Sequence, residues 1–366
     1  MIVCDVAVIG SGPAGGAVAI HCQHAGLDTA IFTLPGHRAR REIPETLPTT
    51  ARPLLHALGF QEGLSRLGLR PQYAIASAWG TDSITTRHSI CNASGPGWFV
   101  DRSAFDAEIL RQAVSGRVPV IEGRILSASQ KNQNWTLQFQ VPQNPEPLRV
   151  KAAVVVDATG RSSAFARCIG IRRLAFDAFI SLSAPAVPCG NWAGEVLVES
   201  APDGWWFSAL APSGELSVSW FTEGRLLRPD DRSLVSFERR LRKTVHTAAR
   251  VSTLLPQKVE SRLARTDRLT MTASEGWIAV GDAATACDPL GSQGLVKALQ
   301  SSALACELIV SNRTYDPVSL RTYNEIQIDY LERFLRERHF FYAMERRWPE
   351  APFWRRFEHR DSASVA

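Results

Sequence analysis

Gly10-Ser11-Gly12-Pro13-Ala14-Gly15 sets three glycines at the spacing that lets a chain turn tightly and bring its backbone against a phosphate. Val6-Ala7-Val8-Ile9 ahead of it reads as a buried strand, and Ala17-Val18-Ala19-Ile20 behind it opens a helix. That is the strand-turn-helix setting in which this pattern grips a dinucleotide. Gly10 permits the turn, Gly12 leaves room for a pyrophosphate, and Gly15 lets helix and strand close. The anion then faces the positive end of the helix. Pro13 and Ala14, between the glycines, belong to the same set of cofactor contacts.

A second cluster lies near the other end of the chain. Gly276-Trp277-Ile278-Ala279-Val280 reads as a short apolar strand, followed by Gly281-Asp282-Ala283-Ala284 and then Asp288-Pro289-Leu290-Gly291-Ser292-Gln293-Gly294. A carboxylate at a strand end, a glycine-rich loop and a fresh helix put an acceptor and a set of backbone N–H groups around one ligand. The N–H groups at the helix start near Gly294 suit negative charge. This segment resembles the flavin monooxygenases, the superfamily of p-hydroxybenzoate hydroxylase, geranylgeranyl reductase and the flavin halogenases. The resemblance implies FAD, with Gly281 and Asp282 clamping the ribityl and pyrophosphate region. Pro289, Gly291, Ser292, Gln293 and Gly294 would lie beside the flavin ring. Two more stretches follow the family order. Val154-Val155-Val156-Asp157-Ala158-Thr159-Gly160 is a strand ending in a turn, and in Val100-Asp101-Arg102-Ser103 the Arg matches one that contacts the cofactor. The resemblance spans most of the chain and is clearest in residues 1–60, 98–170 and 275–305.

One position departs from the pattern. The acidic residue that holds the ribose hydroxyls belongs near position 33, and Thr33 stands there, before the basic run Pro35-Gly36-His37-Arg38-Ala39-Arg40-Arg41. Three accounts are open. The ribose grip is weak and FAD exchanges, or the basic loop, Arg41 included, compensates through the phosphates. Alternatively the Arg cluster takes a 2′-phosphate, which would leave the late motif unexplained. Glu42-Ile43-Pro44-Glu45-Thr46-Leu47-Pro48 resembles the family stretch that lies against the flavin, so Glu45 is a candidate catalytic residue and Glu42 a second one.

The chemistry narrows by elimination. Flavin halogenases need a Lys in the N-terminal third and a Trp-x-Trp-x-Ile-Pro stretch. Here the first Lys is Lys131, and Trp205-Trp206-Phe207-Ser208-Ala209-Leu210-Ala211-Pro212 lacks the second pattern. Hydroxylation of an electron-rich ring needs a dry cavity over the flavin, with Trp79, Trp205, Trp206 and Trp220 as its candidate walls. Trp205 and Trp206 are also the aromatic candidates for a catalytic role. The Arg- and aromatic-rich stretch 336–356 resembles the tails of flavoproteins that modify Trp within partner proteins during tryptophylquinone maturation. The implied partner is a precursor of a tryptophylquinone enzyme, the implied substrate is aromatic, and the electron donor is NAD(P)H or a flavin reductase. Two other functions stay open: a hydroxylase or geranylgeranyl-reductase-like enzyme of small molecules, and a non-catalytic FAD-binding maturation chaperone. For the tail itself, simple capping of the domain by packed aromatic and Arg side chains is the bland alternative.

Composition agrees with this picture. At 366 residues and 45% hydrophobic content the chain can bury a large core. A net charge of +5, spread along the sequence, gives no case for nucleic-acid binding. Seven Cys without a Cys-x-x-Cys pair suggest free thiols in a cytoplasmic protein, and no spacing suggests a metal. No apolar run reaches the roughly 20 residues of a membrane span.

The elements that must position these residues give an α/β fold: a discontinuous Rossmann-type FAD-binding domain, an antiparallel β-sheet substrate domain and C-terminal helices. The expected division is 1–71, 98–175 and 263–316 for FAD, 72–97 and 176–262 for the substrate side, and 317–366 for a C-terminal helical segment. Short β-rich runs at 194–199, 204–210 and 216–222, separated by Pro-Asp-Gly and Pro-Ser-Gly turns, are the signature of the substrate-side sheet. Residues 233–250 read as one helix, and 317–347 as one or two.

Overall fold

The computed structural model describes residues 1–34, 44–142, 144–211 and 213–357. Val6, Ala7, Val8 and Ile9 are all buried, because the strand Ile2–Ile9 lies at the centre of an eight-stranded sheet covered on both faces. Central parallel strands read as unbroken apolar runs for this reason. Parallel partners flank it, Thr29–Thr33 on one side and Leu148–Asp157 on the other. Val120–Glu122 and Trp277–Ala279 continue the sheet outward in parallel. Chain order therefore reverses between Ile2–Ile9 and Leu148–Asp157, and such a switch point opens a crevice at the carboxyl ends of the strands. The loops beginning at Gly10, Ala158 and Gly281 all leave from those ends.

One face of this sheet packs against the helices Pro13–His24, Arg102–Ser115 and Gly294–Val310. Over the other folds the hairpin Arg124–Lys131 and Asn134–Gln140, two of the eight strands, which pairs with Leu148–Asp157 and stacks Phe139 on Phe32 at 4.3 Å. The second eight-stranded sheet has the order Val251–Leu254, Phe179–Pro188, Leu216–Glu223, Gly204–Leu210, Glu195–Ala201, Ala74–Ala78 and Thr85–His88, with Glu260–Leu263 also on Phe179–Pro188. It gathers the expected β-rich runs, largely antiparallel, although Ala74–Ala78 runs parallel to Glu195–Ala201. A small three-stranded sheet joins Pro44–Leu47, Gly97–Asp101 and Arg70–Gln72. No helix among the described residues is long and apolar enough to cross a membrane.

Of the two helix expectations, the first is met by its single-helix form and the second needs correction. Residues 317–347 form a single helix, Pro317–Ala343, started by Asp316, whose carboxylate accepts from the N–H groups of Val318 and Ser319. Residues 233–250 form two, Leu234–Leu241 and His246–Ala249. The break has a local cause: the buried Glu199 carboxylate accepts from the backbone N–H of Val245 at 2.8 Å, of His246 at 3.2 Å and of Thr247 at 2.6 Å, and from the Thr247 hydroxyl. These bonds start a new helix from outside, which no reading of local propensity contains. Glu199→Ala leaves several of these donors buried without a partner, and an unpaired buried group costs about 1–3 kcal/mol. We expect the variant to lose more than about 2 kcal/mol in urea unfolding.

Candidate functional site

At the switch point the glycine loop is fixed by contacts that admit no side chain. A Cβ on Gly10, whose φ is +114°, would lie 2.2 Å from the Ala158 carbonyl oxygen, and one on Gly15 would lie 1.9 Å from the Gly10 oxygen. At Gly12 the same test meets nothing within 4 Å. Gly12 is the N-cap of the helix Pro13–His24, and no side chain caps that end. Two glycines thus hold the turn and the third opens onto free space at a positive helix end, the cradle a pyrophosphate needs.

The late loop is pressed against this cradle. Gly281 has φ of +58°, and a Cβ there would sit 2.9 Å from that of Ala14. The Gly281 N–H donates to Ser301 Oγ at 2.9 Å, and the Ser302 hydroxyl donates to the Ala14 carbonyl at 2.9 Å. Asp282 then projects beside Lys297 Nζ at 2.7 Å and Arg161 Nε at 3.7 Å. Burial pushes the Asp282 carboxyl up, but the Lys297 ammonium and the Arg161 and Arg102 guanidiniums outweigh it and bring its pKa to about 2. The Lys297 ammonium also donates to the Thr285 carbonyl.

Arg102 reaches the site from the start of its helix, which Asp101 caps through the N–H groups of Ser103 and Ala104. Its guanidinium is held by Glu45 at 3.0 Å and by Asp106 at 2.7 Å. Burial raises the Asp106 carboxyl to about 6 against the pull of Arg102. Glu45 is thus an ion-pair partner of Arg102. Asp157 is fully buried and accepts from Thr159 N–H at 3.0 Å, Thr159 Oγ1 at 2.6 Å and Ala166 N–H at 2.9 Å, which shapes the turn to Gly160. Gly160 takes φ of +62° and its Cβ position is open. Arg161 ties this turn to the late loop by donating to the Cys287 carbonyl at 2.8 Å.

Pro289–Gly291 forms a short turn of helix capped by Asp288, whose carboxylate accepts from Leu290 N–H at 3.0 Å. Ser292 follows in the left-handed region, and Gln293 leads into Gly294–Val310 without capping it. The Gly294 Cβ position is also open. A second uncapped helix N-terminus therefore faces free space, suited to the electron-rich edge of a bound ring. Arg41 and Glu42 lie outside the described residues.

The four Trp expected to wall one cavity divide between the two faces of the second sheet. Trp206 and Trp220 pack with Phe237 and Leu241 under the helix Leu234–Leu241. Strand alternation turns Trp205 to the other face, where it stacks on Phe221 at 3.9 Å and donates from Nε1 to Tyr342 Oη at 2.8 Å. Trp79 joins Trp205 there, with Phe353, Trp354, Phe357 and Leu290 of the late loop. The tail is thus packed as a cap. Tyr342 Oη lies 3.2 Å from Asp288 Oδ2, so a buried chain of hydrogen bonds runs from this sheet face to the loop before Gly294.

Lys297, Arg161, Asp288 and Tyr342 were not picked out by the sequence reading. Only Lys297 left a signal, a cation on the first turn after Gly294 and so on the side of the helix end.

The model of the FAD-binding domain family matches residues 3–337. The chain belongs to that family. It is a flavin-dependent oxidoreductase, and the open cradle, the two uncapped helix ends and the anchored Asp282 fit FAD. Over 96% of each chain it is 26% identical to LodB of Marinomonas mediterranea, named an FAD-dependent oxidoreductase. Its fold is that of the myxobacterial chondrochloren halogenase CndH, with a TM-score of 0.88 and 18% identity over 99% of this chain and 87% of that one. It is also that of the peptidyl tryptophan dihydroxylase QhpG, essential for tryptophylquinone cofactor biogenesis, with a TM-score of 0.79 and 22% identity over 99% and 80%.

Two outcomes follow from the geometry. Gly12→Ala should leave the melting temperature of the flavin-free protein unchanged yet weaken FAD binding by at least tenfold in a fluorescence titration, because its Cβ enters only the ligand's space; Gly15→Ala should fail to fold. A carboxyl with a lowered pKa stabilises above its unfolded value, here 3.8, and loses that contribution as pH falls toward about 2. Lys297→Met removes the nearest partner, so the acid limb of the melting-temperature profile should move to higher pH.

Proposed function

We propose that this chain is a monooxygenase that hydroxylates an aromatic ring, namely a Trp side chain in a partner protein that becomes a tryptophylquinone enzyme. The observation that carries the reading is a contrast. The fold is shared by halogenases and by a peptidyl tryptophan dihydroxylase, yet the Lys that halogenation requires has no counterpart, since the first Lys is Lys131, exposed at a hairpin tip. Lys297, on the first turn of the helix after the late loop, is committed to Asp282 and the Thr285 carbonyl.

In this reading residues 1–71, 98–175 and 263–316 make up the FAD-binding domain, residues 72–97 and 176–262 the substrate domain, and residues 317–366 a C-terminal helical segment. Bound FAD, reduced by NAD(P)H or through a flavin reductase, supplies oxygen activation, one atom going to the ring and the other leaving as water. The chain supplies position and dryness. Arg102 and the start of Pro13–His24 would hold the diphosphate, Asp282 would accept from the ribityl hydroxyls, and the N–H groups from Gly294 would hold the ring. Trp205, Phe221 and Tyr342 exclude water from the sheet face beside Asp288.

The test is incubation with reduced flavin, oxygen and Trp-containing precursor peptides, read by mass spectrometry. Oxygen added to Trp, unaffected by bromide, is the expected result, and Asp282→Ala should abolish it. Bromide incorporation would replace this reading with halogenation, and no modification of any Trp peptide would refute it.

A further inference from the structure

The adenosine end of the site lacks the carboxylate that usually holds ribose hydroxyls at the end of the second strand. Thr33 stands there, and its Oγ1 lies 2.6 Å from Ser11 Oγ of the glycine loop. That contact shows which face of the sheet the strand end presents to the ligand. In the neighbouring parallel strand Val120–Glu122, the residue paired with Thr33 is Glu122. The pairing continues as Phe32 with Ile121 and Ile31 with Val120. Ile31 and Val120 pack on the helix-covered face, while Phe32 and Ile121 pack on the hairpin-covered face. Strand alternation then returns Glu122 to the face of Ile31, Thr33 and Ser11.

Adjacent strands lie about 4.8 Å apart, which a Glu side chain spans. Glu122 is exposed and has no hydrogen-bond or ion-pair partner among the described residues. The strand ends are held together beyond it, since Gly123 N–H donates to the Thr33 carbonyl at 2.8 Å. We infer that Glu122 is the ribose-binding carboxylate of this protein, moved one strand outward from the position that Thr33 occupies. The inference rests on the FAD reading. Arg side chains only donate, so the three Arg of the run after Thr33 bring no side-chain acceptor for the ribose hydroxyl protons. A carboxylate can accept both.

Flavin-free protein is titrated with FAD and with an FAD analogue lacking the adenosine ribose hydroxyls. Hydrogen bonds to a charged acceptor carry weight that predicts a loss of about tenfold to a hundredfold in FAD affinity for Glu122→Ala. The same variant should bind the analogue as the parent does. Adding Thr33→Glu to Glu122→Ala should restore FAD affinity, because it returns the acid to the second strand. Unchanged FAD affinity in Glu122→Ala overturns the assignment, as does an equal loss for FAD and the analogue. A parent protein that binds no FAD overturns the cofactor reading itself, a result distinct from either.

Discussion

The contact between Gly281 and Ala14 is the constraint on which the site depends. Residues remote in sequence meet with no space for a methyl group, and Ser301 and Ser302 on the late helix bond the backbone of both partners. A parallel sheet brings this about by ending three strands at one edge, so that the loops after Ile9, Asp157 and Ala279 converge. The close approach needs glycine at Gly10, Gly15 and Gly281, while Gly12 and Gly294 stay open for a ligand. One set of glycines therefore closes the protein, and the other makes room in it.

Charge is arranged around that opening in a corresponding way. Carboxylates here do not stand alone: Asp282 has Lys297 and Arg161, and Glu45 and Asp106 share Arg102. Buried charges are tolerable when paired, and the pairing keeps Asp282 ionised in a setting whose burial favours the neutral acid. Glu122 is different, exposed, without a partner among the described residues, and level with Thr33 at the end of the neighbouring strand. The contrast between engaged and free carboxylates separates residues that shape the site from one left to meet a ligand.

The second sheet shows how one strand serves two roles. In Gly204–Leu210, Trp206 belongs to the core under Leu234–Leu241 and Trp205 to the face turned toward Asp288. Tyr342, near the end of the long C-terminal helix, joins Trp205 to Asp288, accepting a hydrogen bond from the first and donating one to the second. The aromatic tail and the late loop are thus held as one unit, so a disturbance of either would be felt at the helix end at Gly294.

The sequence by itself determined the cofactor cradle, the late acidic loop, and the α/β architecture with its β-rich central stretch. Those features are local: glycine spacing, apolar runs and turn residues act within a few positions. Tertiary structure decided what depends on neighbours remote in the chain. It split residues 233–250 into two helices because Glu199, from another strand, captures the N–H groups of Val245, His246 and Thr247. It separated four tryptophans that composition could only count, and it committed Glu45 to Arg102. It also put Glu122 level with Thr33, since register between parallel strands is set by packing on both faces of the sheet, and no local pattern encodes it.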